Sequence, residues 1–174
     1  LSDKSQAEAI AAQTQRTIKE NYHRDPEFYG RFSEKIEKLI ADLKEARKED
    51  LKVLLGLARE YQRQVSKYEA GDIPDAIKAK KEYHPFFRNL KSELKAHAVP
   101  EEQLCEMVKT IYNLIDQHKI VDWHRNIEVE RKVRMDLEDY LFDGVKTEME
   151  IPLAANEIDR VVSLVWNLAV ENRQ

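Results

Sequence analysis

Residues 25–43, DPEFYGRFSEKIEKLIADL, decide the fold class of this chain of 174 residues. Asp25 can accept hydrogen bonds from the free N–H groups of a first helical turn, and Pro26 is tolerated at the first helical position. Apolar residues then recur every three or four positions, which places them on one face of an α-helix. They are Phe28, Phe32, Ile36, Leu39, Ile40 and Leu43. The stretch predicts a long amphipathic helix.

The same spacing extends toward both ends of the chain. Upstream, Ser5 followed by Glu8 has the form of a capping box, and the helix that it opens should end near Asn21. Downstream, a stripe of apolar residues runs from Leu51 to Tyr68 and closes at residues 71–74, which contain Gly and Pro. This part of the chain predicts long helices that form a hairpin.

The C-terminal half carries further start and stop signals. His84-Pro85 and Val99-Pro100 each precede an apolar helical stripe, so proline marks helix starts here. A third stripe follows residues 120–123 and stops at Gly144, which we interpret as a left-handed C-terminal cap. The last helix should begin at about Asn156. Its β-branched residues would suit a strand, but its apolar positions follow a period near 3.6, which predicts a helix.

Composition agrees with helices throughout. Apolar residues make up 42% of the chain and charged residues 36%, while only four Gly and five Pro supply turns. We therefore predict an all-α fold, an irregular multi-helix bundle of about seven or eight helices. Residues 1–80 should form the long-helix hairpin region and residues 81–174 a C-terminal helical module, the two together making one continuous domain.

Charge is distributed unevenly. The formal net charge is -4, which argues against a protein that coats nucleic acid generally. Residues 44–95 hold 13 basic and 9 acidic side chains, whereas residues 100–174 hold 9 and 16. Any attraction to phosphate should therefore centre on the middle of the chain. The candidates for contacts with duplex DNA are Lys81, Arg88, Lys91 and Lys95, although a plain solvated helix face explains them better.

Catalytic motifs are missing from the sequence. The four glycines lie far apart, so neither a phosphate-binding loop nor a dinucleotide turn is possible, and no zinc or nucleophile-elbow motif occurs. Cys105 lies within an apolar helical pattern, which predicts burial and suits a reducing, cytoplasmic setting. No apolar run is long enough to span a membrane. We expect no catalytic residue, cofactor or metal in this chain.

One cluster resembles a metal site. His118, Asp122 and His124 could act as ligands, but histidines at a helix end, where the helix dipole favours them, are the better explanation. Glu138, with Asp139 and Asp143, could form an acid–base pair; in a chain with 33 acidic residues such clusters arise by chance.

The segment 121–141 has the more informative pattern. Trp123 precedes Arg131 and Arg134, which lie one turn apart, away from the apolar stripe. Arginine suits bidentate contacts with carboxylate or phosphate, although Arg134 could pair with Glu138 four residues on. Trp123 is predicted to be a core residue that fixes the turn, with an interface anchor as the alternative.

The order of these pieces resembles a known family, the R (motor and restriction) subunits of type I restriction-modification enzymes, near their C-terminus. The similar positions here are Asp122-Trp123, Arg131, Arg134 and Tyr140, in the run IVDW (120–123), VERKVR (129–134) and DYL (139–141). Further segments fit along most of the chain: RTI (16–18), DPEFY (25–29), HPFF (84–87), EID (157–159) and WNLA (166–169).

The resemblance implies a function for the chain. In that family the parent protein is an ATP-dependent DNA translocase and site-specific deoxyribonuclease, expected to use ATP and Mg²⁺ in other domains. Its C-terminal helical region is implicated in docking to the methyltransferase and specificity subunits and in lining the DNA path. Because the chain begins at Leu1, we expect a piece of a longer protein. The alternatives are a helical domain that binds duplex DNA and a free-standing helical adaptor.

Overall fold

The computed structural model describes residues 2–173, which contain eight α-helices and no β-strand. The all-α prediction is confirmed. The helices are α1 (Asp3–Asn21), α2 (Pro26–Glu45), α3 (Leu51–Lys67), α4 (Asp75–Lys78), α5 (His84–Glu93), α6 (Glu101–Asp116), α7 (Ile127–Asp139) and α8 (Ala155–Glu171). A π-helix, Tyr140–Glu148, continues α7, and short 3₁₀ turns occupy several connections.

The chain forms two compact units, residues 1–72 and residues 73–174. The sequence placed the division after residue 80. Ile77, on the short helix α4, belongs to the core of the second unit, so the division falls before that helix. Each unit has its own cluster of buried apolar residues.

In the first unit α1, α2 and α3 all pack against one another. The predicted hairpin is thus a three-helix arrangement, because α1 buries its own apolar face, which includes Ala7, Ala11 and Ile18. The Asp-Pro start of α2 is confirmed: the backbone N–H of Phe28 donates to Asp25 Oδ1 at 3.1 Å. The Tyr68 hydroxyl donates to the other oxygen of the same carboxylate, which ties the end of α3 to the start of α2.

Two helix ends in the first unit differ from the sequence prediction. The N-cap of α1 is Ser2, whose hydroxyl oxygen accepts from the Ser5 backbone N–H at 3.1 Å, so the capping box at Ser5 is wrong. Helix α3 ends at Lys67, before the predicted stop at residues 71–74. Tyr68 adopts the left-handed conformation (φ 55°) there, and its N–H bonds back to the last turn.

The second unit packs α5, α6, α7 and α8 around one core. The predicted starts are confirmed: α5 begins at His84, and Pro100 is the N-cap of α6. The last helix begins at Ala155, where the side chain of Glu157 accepts from the Ala154 N–H at 3.0 Å. Cys105 is buried, as predicted.

The cap predicted at Gly144 is wrong. Gly144 lies inside the π-helix, and its carbonyl accepts from Met149 N–H at 3.0 Å, a bond that spans five residues. A Cβ at Gly144 would lie 2.8 Å from two ring atoms of Tyr140. Glycine is thus needed for a close side-chain approach within a continuing helix rather than for a left-handed turn.

His84 is a buried titratable group at the start of α5. Its Nε2 lies 3.0 Å from the carbonyl oxygen of Lys78. Burial is the main cause that lowers the pKa of His84, and the nearby charges of Arg88 and Lys81 lower it further. The folded second unit therefore favours the neutral ring, whereas an unfolded chain takes up a proton near the ordinary pKa of about 6.5.

We predict that the free energy of unfolding of the second unit falls as the pH decreases below about 6.5, because the unfolded state then binds the extra proton. Urea unfolding at several pH values, followed by tryptophan fluorescence, measures this: Trp123 and Trp166 both lie in the second unit. His84→Gln should make the free energy of unfolding depend less on pH between pH 7 and the folded pKa. The slope should fall by up to about 1.4 kcal/mol per pH unit, the value for one proton. An unchanged slope would contradict the assignment to His84.

Candidate docking surface

The turn between α6 and α7 is built around Trp123. Its side chain is only 7% exposed and meets the ring of Trp166, on α8, edge to face with centroids 5.6 Å apart. The ammonium of Lys119 lies 5.4 Å from the centroid of the Trp123 ring. The prediction that Trp123 is a core residue is therefore confirmed. It joins the turn to α8.

Asp122 and Asn126 shape the backbone on either side of this tryptophan. Asp122 has φ 56° and ψ 28°, a left-handed conformation that Asp tolerates better than most residues. The side chain of Asn126 accepts from the N–H groups of Glu128 and Val129 and caps α7. The pair Asp122-Trp123 thus reverses the chain and buries one large ring, which is a structural role.

The histidine cluster at this turn is divided among different contacts. His118 Nε2 lies 2.6 Å from Asp136 Oδ2, which links the end of α6 to α7. The ring of His124 lies edge-on to Trp123, and Asp122 is exposed. Within residues 2–173 no group of three His, Cys, Asp or Glu side chains is arranged to hold a metal ion.

The two arginines of α7 are engaged within the second unit. Arg134 donates to Glu130 Oε2 at 2.8 Å and to Ser163 Oγ at 3.2 Å, so it connects α7 to α8. The suggested pairing of Arg134 with Glu138 is wrong, because the partner lies one turn earlier. Arg131 is exposed and pairs with Glu128 on its own helix. Of the two, only Arg131 has its side chain mostly in solvent.

Tyr140 opens the π-helix, and its ring lies over Gly144. Burial is the largest cause that raises the pKa of the Tyr140 phenol. A π-helix of this length is rare, and such distortions often accompany functional sites. Phe142 lies within this π-helix.

Three large apolar side chains are exposed along α7 and the π-helix. Ile127 is 78% exposed, Met135 is 56% exposed and Phe142 is 54% exposed. Ile127 and Met135 lie eight residues apart on α7, an interval that keeps them on one side of a helix with 3.6 residues per turn, and Phe142 follows in the π-helix. We call this set the α7 stripe. Exposed apolar residues along one side of a helix make this side the candidate surface for binding a partner.

An acidic groove adjoins the α7 stripe at Phe142. It has a volume of about 320 Å³ and runs between the C-terminal part of α7, the start of the π-helix and the start of α8. Phe142 and Ile158 form its apolar wall. Its carboxylates are Glu138, Asp139, Asp143 and Asp159. The groove combines an apolar wall with negative charge.

The four basic residues proposed for contacts with DNA differ in their exposure. Lys81, Lys91 and Lys95 are exposed. Arg88 is only 2% exposed, so its assignment to a solvated row is wrong. Seven consecutive residues at the start of α5 are buried, which leaves that helix without a solvated face there. Lys91 and Lys95 flank a small apolar pocket between the end of α5 and the start of α6.

Sequence reasoning did not single out Ile127, Met135 or Phe142. A signal was present, because the buried stripe of this region runs through Val129, Val133, Leu137 and Leu141 and the three residues lie off it. Large apolar residues on the solvated side of an amphipathic helix are the pattern to look for.

No helix among the described residues combines the length and apolar character needed to cross a lipid bilayer. No protein-family model, curated protein or solved structure matches the chain.

Proposed function

We propose that this chain is a non-catalytic helical docking module and that the α7 stripe is the surface that binds its partner. The supporting observation is the exposure of Ile127, Met135 and Phe142 along α7 and the π-helix, whose buried residues pack into the core of the second unit. Contacts to Trp166 and Ser163 hold the turn and α7 against α8, so the stripe is presented on a rigid element.

The resemblance to type I restriction enzymes suggests which assembly the module serves. We propose that it attaches an ATP-dependent translocase and nuclease subunit to the methyltransferase and specificity subunits. ATP and Mg²⁺ would act in other domains of that parent protein. Asp122, Trp123, Arg134 and Tyr140 would then support the surface from within, and Arg131 would lie beside it.

A binding experiment tests this proposal. The chain is titrated by isothermal calorimetry into a methyltransferase–specificity complex of a type I restriction enzyme from the same source, and we expect a saturable interaction. Met135→Gln combined with Phe142→Gln should weaken binding at least about tenfold, since the few large side chains that dominate an interface each contribute more than about 1 kcal/mol. Both residues are exposed, so the stability of the chain should change by less than about 0.5 kcal/mol each.

Val53→Gln is the matched control. Val53 is exposed on α3, in the first unit, and replacing an exposed apolar side chain there should leave the affinity unchanged. Absence of binding, or equal affinity of the wild type and the double variant, would contradict docking through the α7 stripe. A coding sequence without motor motifs upstream of the chain would favour the free-standing adaptor.

Duplex DNA binding is a second candidate, favoured by the exposure of Lys81, Lys91 and Lys95. Since each neutralised phosphate adds about 0.9 to the slope of log affinity against log salt, three lysines predict a slope of about -3. This is shallow beside proteins that make many phosphate contacts. Arg88 is unsuitable for testing this candidate, because a substitution there would disturb the buried part of α5.

A further inference from the structure

A small pocket lies on the second unit between the end of α5 and the start of α6. It has a volume of about 130 Å³. Leu94 and Leu104 are buried residues that line it, with Ala98 and Val99 from the connection between the helices. The remaining lining comes from two lysines, Lys91 and Lys95, and the lining includes no carboxylate.

The size of the pocket limits its ligand. Sites for drug-sized molecules and cofactors usually exceed about 300 Å³, whereas an apolar cavity of about 150 Å³ accommodates benzene. A pocket of 130 Å³ therefore fits one aromatic ring or one branched aliphatic group. That is the size of a single side chain from another protein.

The two lysines determine the charge of that ligand. Lys91 and Lys95 lie four residues apart, so they project from neighbouring turns at the pocket. Both are exposed, and neither forms an ion pair among residues 2–173. Lys91 also lies over the ring of Phe87, with its Nζ 5.8 Å from the centroid. Two cations beside an apolar pocket complement an apolar side chain with carboxylates next to it in sequence.

We propose that this pocket binds an acidic segment of a partner protein, with one bulky apolar side chain inserted between Lys91 and Lys95. Duplex DNA is a poorer match, because a phosphate backbone has no apolar group to fill a pocket lined by Leu94 and Leu104. The pocket lies on α5 and α6, apart from the α7 stripe, so this proposal stands independently of the restriction-enzyme assignment.

A defined peptide tests the proposal by NMR. The probe is a blocked peptide with one phenylalanine flanked by glutamates, titrated into the ¹⁵N-labelled chain of 174 residues. We expect saturable shifts of the Lys91, Lys95 and Val99 amide signals in the millimolar range. Replacing the phenylalanine with alanine should weaken binding about tenfold, because the ring is the group buried.

Charge variants give the second measurement. Lys91→Gln with Lys95→Gln should weaken binding of the phenylalanine peptide about fivefold, as expected for two exposed ion pairs. Lys4→Gln with Lys44→Gln removes the same charge at exposed sites in the first unit and should leave the affinity unchanged. The backbone spectrum of each variant verifies that its fold is retained.

Four results would overturn the proposal. They are the absence of saturable shifts at the pocket, equal affinity for the phenylalanine and alanine peptides, tighter binding of duplex DNA to the same residues at equal ionic strength, and pocket shifts that grow with the concentration of the chain alone. The third would assign the lysines to DNA. The fourth would assign the pocket to a second copy of the chain.

Discussion

Replacing Trp123 with alanine is expected to lower the free energy of unfolding of the second unit by about 3–5 kcal/mol. The indole is buried, and its removal leaves a cavity that the left-handed turn at Asp122 has little freedom to close. It also removes the edge-to-face contact with Trp166 and the contact with the Lys119 ammonium. The turn would then lose its main attachment to α8.

Urea unfolding followed by the fluorescence of the remaining Trp166 measures this effect within the second unit. Val121→Ala is the matched control, because Val121 lies in the same turn and is exposed. Its substitution should change stability by less than about 0.5 kcal/mol. If Trp123→Ala retained full stability and instead lost partner binding, Trp123 would be an interface anchor and its structural role would be wrong.

All the helices except the short α4 were accessible from the sequence because they have local signals. The apolar stripe from Phe28 to Leu43 and the Asp25-Pro26 start needed no knowledge of what packs against them. Pro85 and Pro100 likewise marked helix starts. Local chemistry determines these features, and the structure has them where the pattern predicts them.

Features that depend on neighbouring elements were not accessible. The spacing of Arg88, Lys91 and Lys95 predicts that Arg88 lies on a solvated face of α5. Other parts of the second unit cover α5 on all sides near its start, so Arg88 and Asn89 are buried together with Phe87. The partner of Arg134 is Glu130 together with Ser163 of α8, which the spacing to Glu138 could not indicate. Periodicity gives the direction of a side chain, whereas burial depends on which helices surround it.

The candidate site was predicted in part for the same reason. Trp123 is a large residue in a break between stripes, so its burial followed from the sequence. The exposure of Met135 and Phe142 depends on which parts of α7 and the π-helix the neighbouring helices leave uncovered. The position of Phe142 also depends on the π-helix, which no local pattern of residues indicated. Supporting residues were therefore easier to predict than the surface that they support.

Gly144→Ala is expected to destabilise the second unit by about 1–3 kcal/mol, although alanine is the better helix former. The new Cβ would lie 2.8 Å from Cδ1 and Cε1 of Tyr140, well inside the normal separation of about 3.5–4.0 Å between carbon atoms. The Tyr140 ring is half-buried and packs against the core, so it cannot move aside without disturbing the π-helix. Tryptophan fluorescence during urea unfolding measures the loss.

Two comparisons isolate the close contact from helix propensity. Gly56 lies in α3, where an added Cβ would meet no atom within 4 Å, so Gly56→Ala should gain up to about 1 kcal/mol in the first unit, measured by circular dichroism. In a Tyr140→Ala background, Gly144→Ala should likewise become neutral or stabilising, because the ring that it meets is gone. If Gly144→Ala were stabilising with Tyr140 present, the Tyr140 ring would be able to move away from the new Cβ at little cost in free energy. The π-helix, and the position of Phe142 within it, would then not depend on this pair.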